Sequence, residues 1–311
     1  MPEVFTVTLN PAIDQMLYLK RFEPAVTNRL SSSLPWLGGK GTHVSLDLLD
    51  MGQQNKAMGI AHGETGKEVI RFLEERGIET CFQLYEGAET RTNYILIEED
   101  GRTTTLSSRG KMLTEEEIGA FILFLRAHLS KGDWMILAGD ASNCPDPFIY
   151  KRIMEELKDL NLRVFMDASG ETLRQCAPAQ PYLIKPNRDE LAYLTDSSVD
   201  TEEEVFEAVR KMDRYGIPIV AVSLGGDGSL VKKDGELYRV FSPEVHVVNT
   251  NGCGDCFLAG LACGLLKDLP FEDTLRLAAA TSAATAESEF TVGYDVARAE
   301  ELKPLVRIEK H

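Results

Sequence analysis

The stretch Val248-Asn249-Thr250-Asn251-Gly252-Cys253-Gly254-Asp255-Cys256-Phe257-Leu258-Ala259-Gly260 passes from polar residues and glycines into a helical pattern. Apolar side chains recur with helical spacing from Phe257 to Leu265, which predicts a helix that begins near Gly252. Two glycines allow the backbone to turn N–H groups toward one point, and the first helical turn adds unpaired N–H groups and the positive end of the helix dipole. The stretch therefore predicts an anion-binding site.

Asp255 is the unexpected residue in this site, because a carboxylate repels the anion that the backbone amides attract. It fits if the anion is a phosphoryl group in transfer and the carboxylate takes a proton from the attacking hydroxyl. The alternative is that Asp255 is an ordinary acidic residue at a helix start. Cys253 and Cys256 have the spacing of a redox pair or half a zinc site. Since the other cysteines are scattered, we interpret both as small residues that allow close packing.

The composition excludes several classes of protein. A chain of 311 residues with 43% hydrophobic residues can bury a large core. Its formal net charge of −16 disfavours nucleic acid and anionic membranes as partners. No apolar run reaches the roughly 18 residues that span a bilayer, and a signal peptide is not recognisable at the N-terminus. We therefore expect a cytoplasmic protein.

Two polar turns near the N-terminus are candidate ligand sites. The run from Val4 to Leu9 predicts a strand, and the Asn10-Pro11-Ala12-Ile13-Asp14 tip follows it at the edge where parallel sheets bind ligands. An Asx turn around the proline would give the same sequence. Gly38-Gly39-Lys40-Gly41 opens a helical pattern and predicts a second turn for an anionic or polar ligand, with a flexible surface turn as the alternative.

The segment 80–110 predicts β-structure without intervening helices, with a hairpin around Glu99 to Arg102. Together with the alternation before Gly38, it predicts a small sheet over the crevice. Elsewhere helical and strand patterns alternate, which indicates a doubly wound α/β sandwich with a mostly parallel sheet. We expect one domain over 1–311, with lid strands from about 11–36 and 80–110. Arg91 is either a solvated charge on the lid or a group that faces a phosphate.

Two further motifs lie in the second half of the chain. Asn187 and Glu190 share one face of a helix start, where their oxygens could hold Mg²⁺ directly or through water. A capping box would use the same residues. The apolar strand from Ile219 to Leu224 leads into Gly225-Gly226-Asp227-Gly228, which suits a turn that faces a nucleotide, although hairpins use the same glycines.

These motifs, in this order, resemble the ribokinase-like carbohydrate kinases of the phosphofructokinase B type over essentially the whole chain. Three motifs look most like the branch with 1-phosphofructokinase and tagatose-6-phosphate kinase: Thr8-Leu9-Asn10-Pro11-Ala12-Ile13-Asp14, Gly38-Gly39-Lys40-Gly41 and Thr90-Arg91-Thr92-Asn93. The resemblance implies ATP and Mg²⁺ as cofactors. It implies Asp255 as the base that deprotonates the acceptor hydroxyl, and an anion hole formed by the amides of Gly252, Cys253 and Gly254.

The resemblance also implies three groups of binding residues. Those for the acceptor sugar or its phosphate are Asp14, Gly38, Gly39, Lys40, His43, Arg91 and Arg29. Those for ATP are Lys185, Asn187, Ser223, Gly225, Gly226 and Gly228. Those for Mg²⁺ are Asn187 and Glu190.

Three departures from the family pattern leave the acceptor open. His43 stands where the family usually has Asn, the turn from Leu137 to Cys144 replaces a Ser-Gly-Ser-Leu-Pro-like turn, and Ser107 to Gly110 replaces a Pro-Gly segment. The leading hypothesis is a kinase of a phosphorylated ketohexose: fructose 1-phosphate, tagatose 6-phosphate or fructose 6-phosphate. The alternatives are a kinase of an unphosphorylated sugar or nucleoside, and an inactive sugar or nucleotide sensor. Open lid strands further suggest a homodimer through the lid.

Overall fold

The main sheet of the molecule has ten strands, in the order β14-β13-β12-β11-β10-β9-β8-β1-β4-β5. The structure is a computed structural model that describes residues 2–311. The pairs from β11 to β5 are parallel, and β12, β13 and β14 are antiparallel. The mostly parallel sheet is thus confirmed. Its strands are β1 Val4–Thr8, β4 Lys56–His62, β5 Glu79–Tyr85, β8 Trp134–Ala138, β9 Arg163–Asp167, β10 Leu183–Ile184, β11 Ile219–Ser223, β12 Ser229–Lys233, β13 Glu236–Phe241 and β14 Arg307–Lys310.

Helices cover both faces of this sheet, which is why β1 and β8 are buried at every position. The helices are α1 Lys40–Asp50, α2 Gly63–Glu75, α3 Glu115–His128, α4 Ile149–Glu156, α5 Gly170–Cys176, α6 Arg188–Thr195, α7 Glu202–Lys211, α8 Cys253–Leu266, α9 Phe271–Ala286 and α10 Val296–Leu302. One face carries α1, α8 and α9, and the opposite face carries α3 to α7. None of the helices within residues 2–311 is long and apolar enough to cross a bilayer.

Small residues allow α8 and α9 to pack at close range. A Cβ at Gly260 would overlap the backbone of Ala278, and a Cβ at Gly264 would overlap Thr274. The alanine-rich sequence of α9 is therefore explained by its contact with α8. This packing fixes the N-terminus of α8 against the carboxyl edge of the sheet.

A separate four-stranded sheet has the order β3-β2-β6-β7. Its strands are β2 Ala12–Leu19, β3 Leu30–Gly38, β6 Arg91–Glu98 and β7 Thr103–Leu106. β2 pairs in parallel with β6, and the outer pairs are antiparallel. The second lid segment was predicted to begin at about residue 80, and this boundary was wrong, because β5 pairs with β4 at the edge of the main sheet. The second part of the small sheet begins at Arg91.

Candidate active site

The N-terminus of α8 presents free backbone amides. Gly252 precedes the helix with φ 82°, and its carbonyl accepts from the amides of Asp255 and Cys256 at 3.0 and 2.9 Å. Within residues 2–311, no protein group accepts a hydrogen bond from the backbone N–H of Gly252, Cys253 or Gly254. A Cβ at residue 252 would overlap the carbonyl oxygen of Thr291, so only glycine fits. The helix start can therefore hold an anion through these amides and the helix dipole.

Asp255 lies in the first turn of α8 and is buried. Its Oδ2 is 2.8 Å from Nδ1 of His43, which lies in the first turn of α1. The other ring nitrogen of His43 is 2.9 Å from the carbonyl oxygen of Leu37. The ring predicted to contact the sugar thus contacts the carboxylate expected to act as the base.

A fully buried carboxylate, Asp167, joins two of the predicted motifs. Its Oδ1 accepts from Lys40 at 2.9 Å, and its Oδ2 forms an ion pair with Lys185 at 3.0 Å. Burial alone would raise the pKa of Asp167, but the ammonium groups of Lys185 and Lys40 outweigh it and hold the pKa below its ordinary value. Nζ of Lys185 is also close to Gly254. Lys185 therefore places a positive charge beside the free amides, and Asp167 links Lys40 to it.

The sequence prediction did not assign a role to Asp167. A signal existed, because Asp167 is the last residue of β9, and the carboxyl ends of parallel strands form the ligand crevice of an open α/β sheet. Asp167 joins the site because it forms ion pairs with Lys40 and Lys185, which lie on other elements. That relation appears only in three dimensions.

Asp14, the last residue of the predicted Asn10 to Asp14 turn, lies in β2 of the small sheet and contacts the neighbouring strand β6. Oδ1 of Asp14 accepts from Asn93 on β6 at 2.7 Å, and burial raises the pKa of Asp14. Gly38 allows this approach, because a Cβ there would overlap the Asp14 carboxylate. Gly39 has φ 105° and directs the chain into α1. The predicted sugar-binding residues Asp14, Gly38 and Gly39 are thus brought together.

Arg91 lies at the edge of the same region with its side chain 8% exposed, and its partner is a carboxylate. Its Nη1 donates to Oδ2 of Asp140 at 3.1 Å and to the carbonyl oxygen of Ser108 at 3.2 Å. Asp140 belongs to the turn that departs from the family pattern. Arg29 is exposed in the loop before β3. Its neighbour Leu30 pairs with Leu19, five residues along β2 from Asp14 and thus about 17 Å away.

The nucleotide motif borders a cavity of about 570 Å³. Ser223 ends β11, and the following turn is a hairpin, because β12 returns antiparallel to β11. The two interpretations of this glycine-rich turn, as a hairpin and as part of a ligand cavity, are therefore compatible. The cavity extends to the N-terminus of α8. Its lining includes the predicted Ser223, Gly225, Gly226, Gly228, Cys253 and Gly254, with apolar side chains from Val245, Val247, Phe257 and Ala283.

Asn187 and Glu190 form a capping box at the start of α6. Glu190 N donates to Asn187 Oδ1, and Asn187 N donates to Glu190 Oε2, both at 2.8 Å. Oε1 of Glu190 lies outside these bonds. Within residues 2–311, no three His, Cys, Asp or Glu side chains are arranged to hold a metal. Mg²⁺ usually binds one or two carboxylates together with substrate phosphates and water, so Glu190 fits such a site.

The thiols near the site are suited to packing. All six cysteines are free, and Cys256 is buried under α9. Burial raises the pKa of the Cys253 thiol to about 12 and that of Cys256 well above its ordinary value. Both thiols are therefore protonated at neutral pH.

A model of the pfkB family carbohydrate kinases matches residues 7–293. The chain belongs to this family. It is 34% identical to 1-phosphofructokinase of Bacillus subtilis over 286 residues, which cover 92% of this chain and 93% of that protein. It is 32% identical to 1-phosphofructokinase of Escherichia coli over 93% of this chain and 92% of that protein.

A solved structure of phosphofructokinase-2 from Escherichia coli has a TM-score of 0.92 and 21% identity. That match covers 98% of this chain and 99% of the solved chain. The ribokinase-like fold is thereby confirmed. As a member of the pfkB family, this protein is an ATP-dependent sugar kinase.

Proposed function

We propose that this kinase transfers the γ-phosphoryl group of ATP to a hydroxyl of a phosphorylated ketohexose, with Asp255 as the general base. The supporting observation is the buried Asp255 carboxylate beside three free amides at the start of α8. Relatives named 1-phosphofructokinase support a sugar phosphate as the acceptor. The candidates are fructose 1-phosphate, tagatose 6-phosphate and fructose 6-phosphate.

The proposed reaction is an in-line transfer. The acceptor hydroxyl gives its proton to the Asp255 carboxylate as its oxygen attacks the γ-phosphorus, and the bond from the γ-phosphorus to the bridging oxygen of ATP breaks. ADP and a ketohexose bisphosphate leave. The amides of Gly252, Cys253 and Gly254 stabilise the negative charge on the transferring group. Lys40 and Lys185, both held by Asp167, add positive charge beside it.

The cavity beside β11 is the proposed ATP site. Its glycines allow a phosphate chain to approach the backbone closely, and its apolar wall at Val245 and Val247 suits a base. Glu190 and Asn187 would hold Mg²⁺ on the triphosphate. Bound there, Mg²⁺ neutralises charge on the phosphates.

A second candidate acceptor is an unphosphorylated sugar or nucleoside. The observation that favours it is the ion pair between Arg91 and Asp140, because this carboxylate already neutralises the guanidinium. A phosphate at Arg91 would have to compete with Asp140. The two candidates therefore differ in whether Arg91 pairs with the substrate.

The experiment measures the rate of ADP release from Mg-ATP with each candidate acceptor: the three sugar phosphates, free hexoses, ribose and nucleosides. Asp255→Asn is expected to lose a factor of ~10²–10⁴ in kcat, because the base is removed. Asp273→Asn, the same change in the first turn of α9, is the control and is expected to keep the wild-type rate. Full activity in Asp255→Asn would refute the role of the base.

Arg91→Ala separates the two acceptor classes. If the substrate is a sugar phosphate, we expect KM for it to rise about 100-fold, since a charged hydrogen bond to phosphate is lost. Arg102→Ala, an exposed arginine of the same sheet region, is the control. Turnover of unphosphorylated acceptors alone, unaffected by Arg91→Ala, would replace the leading proposal with the second one.

The proposal includes a homodimer through the small sheet. Its strands and the adjoining loop expose apolar side chains at Val26, Leu30, Leu34, Tyr94 and Leu106. Tyr94 and Leu106 are direct cross-strand neighbours, and each is about half exposed. A second copy of this chain would cover them.

A further inference from the structure

The buried imidazole of His43 faces a hydrogen-bond acceptor at each ring nitrogen. Nδ1 is 2.8 Å from Asp255 Oδ2, and Nε2 is 2.9 Å from the carbonyl oxygen of Leu37. A carbonyl oxygen only accepts, and so does an ionised carboxylate, so both bonds need a proton from the ring. A proton on Asp255 could also make the first bond, but imidazole is the stronger base. The geometry therefore indicates an imidazolium.

Three acidic side chains surround this ring. Asp255 comes from α8, Asp14 from β2, and Asp47 from the next turn of α1. Burial alone would lower the pKa of His43, but the bond to Asp255 and the charges of Asp255 and Asp14 raise it to about 9. Burial raises the pKa of Asp14, and it raises the pKa of Asp47 well above its ordinary value. Asp255 is the group that the ring contacts.

We propose that His43, as an imidazolium, is a positioning residue that fixes Asp255 through Oδ2 and leaves Oδ1 to take the proton of the acceptor hydroxyl. This inference rests on the proposed role of Asp255 as the base. A carboxylate held by one oxygen cannot turn away from the acceptor.

The pH dependence follows from this pairing. His43 has a raised pKa, so the imidazolium is present at neutral pH and is lost as the pH rises through about 9. At higher pH the ring loses one proton to solvent and keeps a single N–H, so it can no longer donate both to Asp255 through Nδ1 and to the Leu37 carbonyl oxygen through Nε2. We therefore expect kcat to fall on the alkaline side, near pH 9.

The kinetic experiment compares kcat between pH 5.5 and 10.5 in the wild type, His43→Asn and His62→Asn. Asn at 43 can donate a neutral hydrogen bond but cannot titrate. We expect His43→Asn to lower kcat at pH 7 about tenfold, because Asp255 is positioned less firmly, and to abolish the alkaline fall, because Asn does not titrate. A uniform loss of kcat with the alkaline fall unchanged would indicate a structural role only and overturn the proposal.

His62→Asn is the matched control. His62 is also buried and pairs with an acid, since its Nε2 is 3.2 Å from Glu117 Oε1. It does not contact Asp255. We expect the alkaline fall of the wild type to persist in this variant. Its disappearance there would assign the titration to His62 and contradict the proposal.

A second measurement does not depend on activity. In ¹⁵N-histidine-labelled protein at pH 8, we expect one ring with two protonated nitrogens, absent from His43→Asn. In Asp255→Asn this ring is expected to lose its second proton below pH 8. A His43 ring with one N–H at pH 8, or an unchanged titration in Asp255→Asn, would overturn the inference. If no acceptor is turned over, the proposed function fails, and these spectra still decide the protonation and pairing of His43.

Discussion

Asp140 lies among the donors that a substrate phosphate would need. Its Oδ2 is 3.1 Å from Arg91 Nη1, 3.3 Å from Asn10 Nδ2 and 2.7 Å from the hydroxyl of Ser142. A phosphate that approaches Arg91 would meet this carboxylate, and like charges at close range are unfavourable. Residue 140 is therefore expected to set the charge that the acceptor site tolerates.

We predict that Asp140→Asn lowers KM for the preferred sugar phosphate about tenfold, which corresponds to about 1.4 kcal/mol. Asparagine is nearly isosteric and removes only the negative charge. Steady-state kinetics on sugar phosphates and free sugars measures the effect, and Asp146→Asn, on the same loop, is the control. An unchanged KM for the phosphate and a raised KM for a free sugar would favour the unphosphorylated acceptor.

At the scale of an element, the start of α8 depends on one backbone conformation. Gly252 has a left-handed φ of 82°, and its Cα faces the carbonyl oxygen of Thr291, which comes just after α9. The close packing of α8 on α9 leaves little freedom to relieve an added methyl group. The three free amides depend on this geometry.

We predict that Gly252→Ala lowers kcat at least 100-fold and the free energy of unfolding by about 2 kcal/mol, because left-handed strain and an overlap coincide. Gly235→Ala is the matched control, since Gly235 has φ 84° and open space around its Cα. It should lose stability through the strain but keep kcat. Thermal unfolding and kcat measure both effects. Equal kcat values in the two variants would contradict an anion hole at residue 252.

At the scale of the whole molecule, the small sheet is the surface on which we expect a second copy. Light scattering at about 10 µM should give twice the chain mass of 34.5 kDa. Leu106→Lys is predicted to shift the protein toward monomer, because it places a charge in the proposed apolar contact. Leu123→Lys, at an exposed leucine on α3, is the control. A monomeric wild type, or equal dissociation in both variants, would refute the lid dimer.

The fold was largely predictable because its signals are local. Buried apolar runs such as Val4 to Leu9 marked the strands of the parallel sheet, and apolar side chains at helical spacing from Phe257 to Leu265 marked α8. The assignment of residues 80–85 failed because a strand pattern does not specify which sheet a strand joins. β5 follows α2 and pairs beside β4, as a crossover in a parallel sheet does.

The sequence by itself determined the motifs and their order: the glycines that only a tight turn needs, the acid at the start of α8, and the lysines of two separate loops. Their chemistry follows from residue type and neighbours along the chain. Only the tertiary structure decided the pairs. Asp255 meets His43, Asp167 joins Lys40 to Lys185, and Asp140 neutralises Arg91. These partners lie on different elements, and electrostatic interactions depend on distance in space, not on separation along the chain.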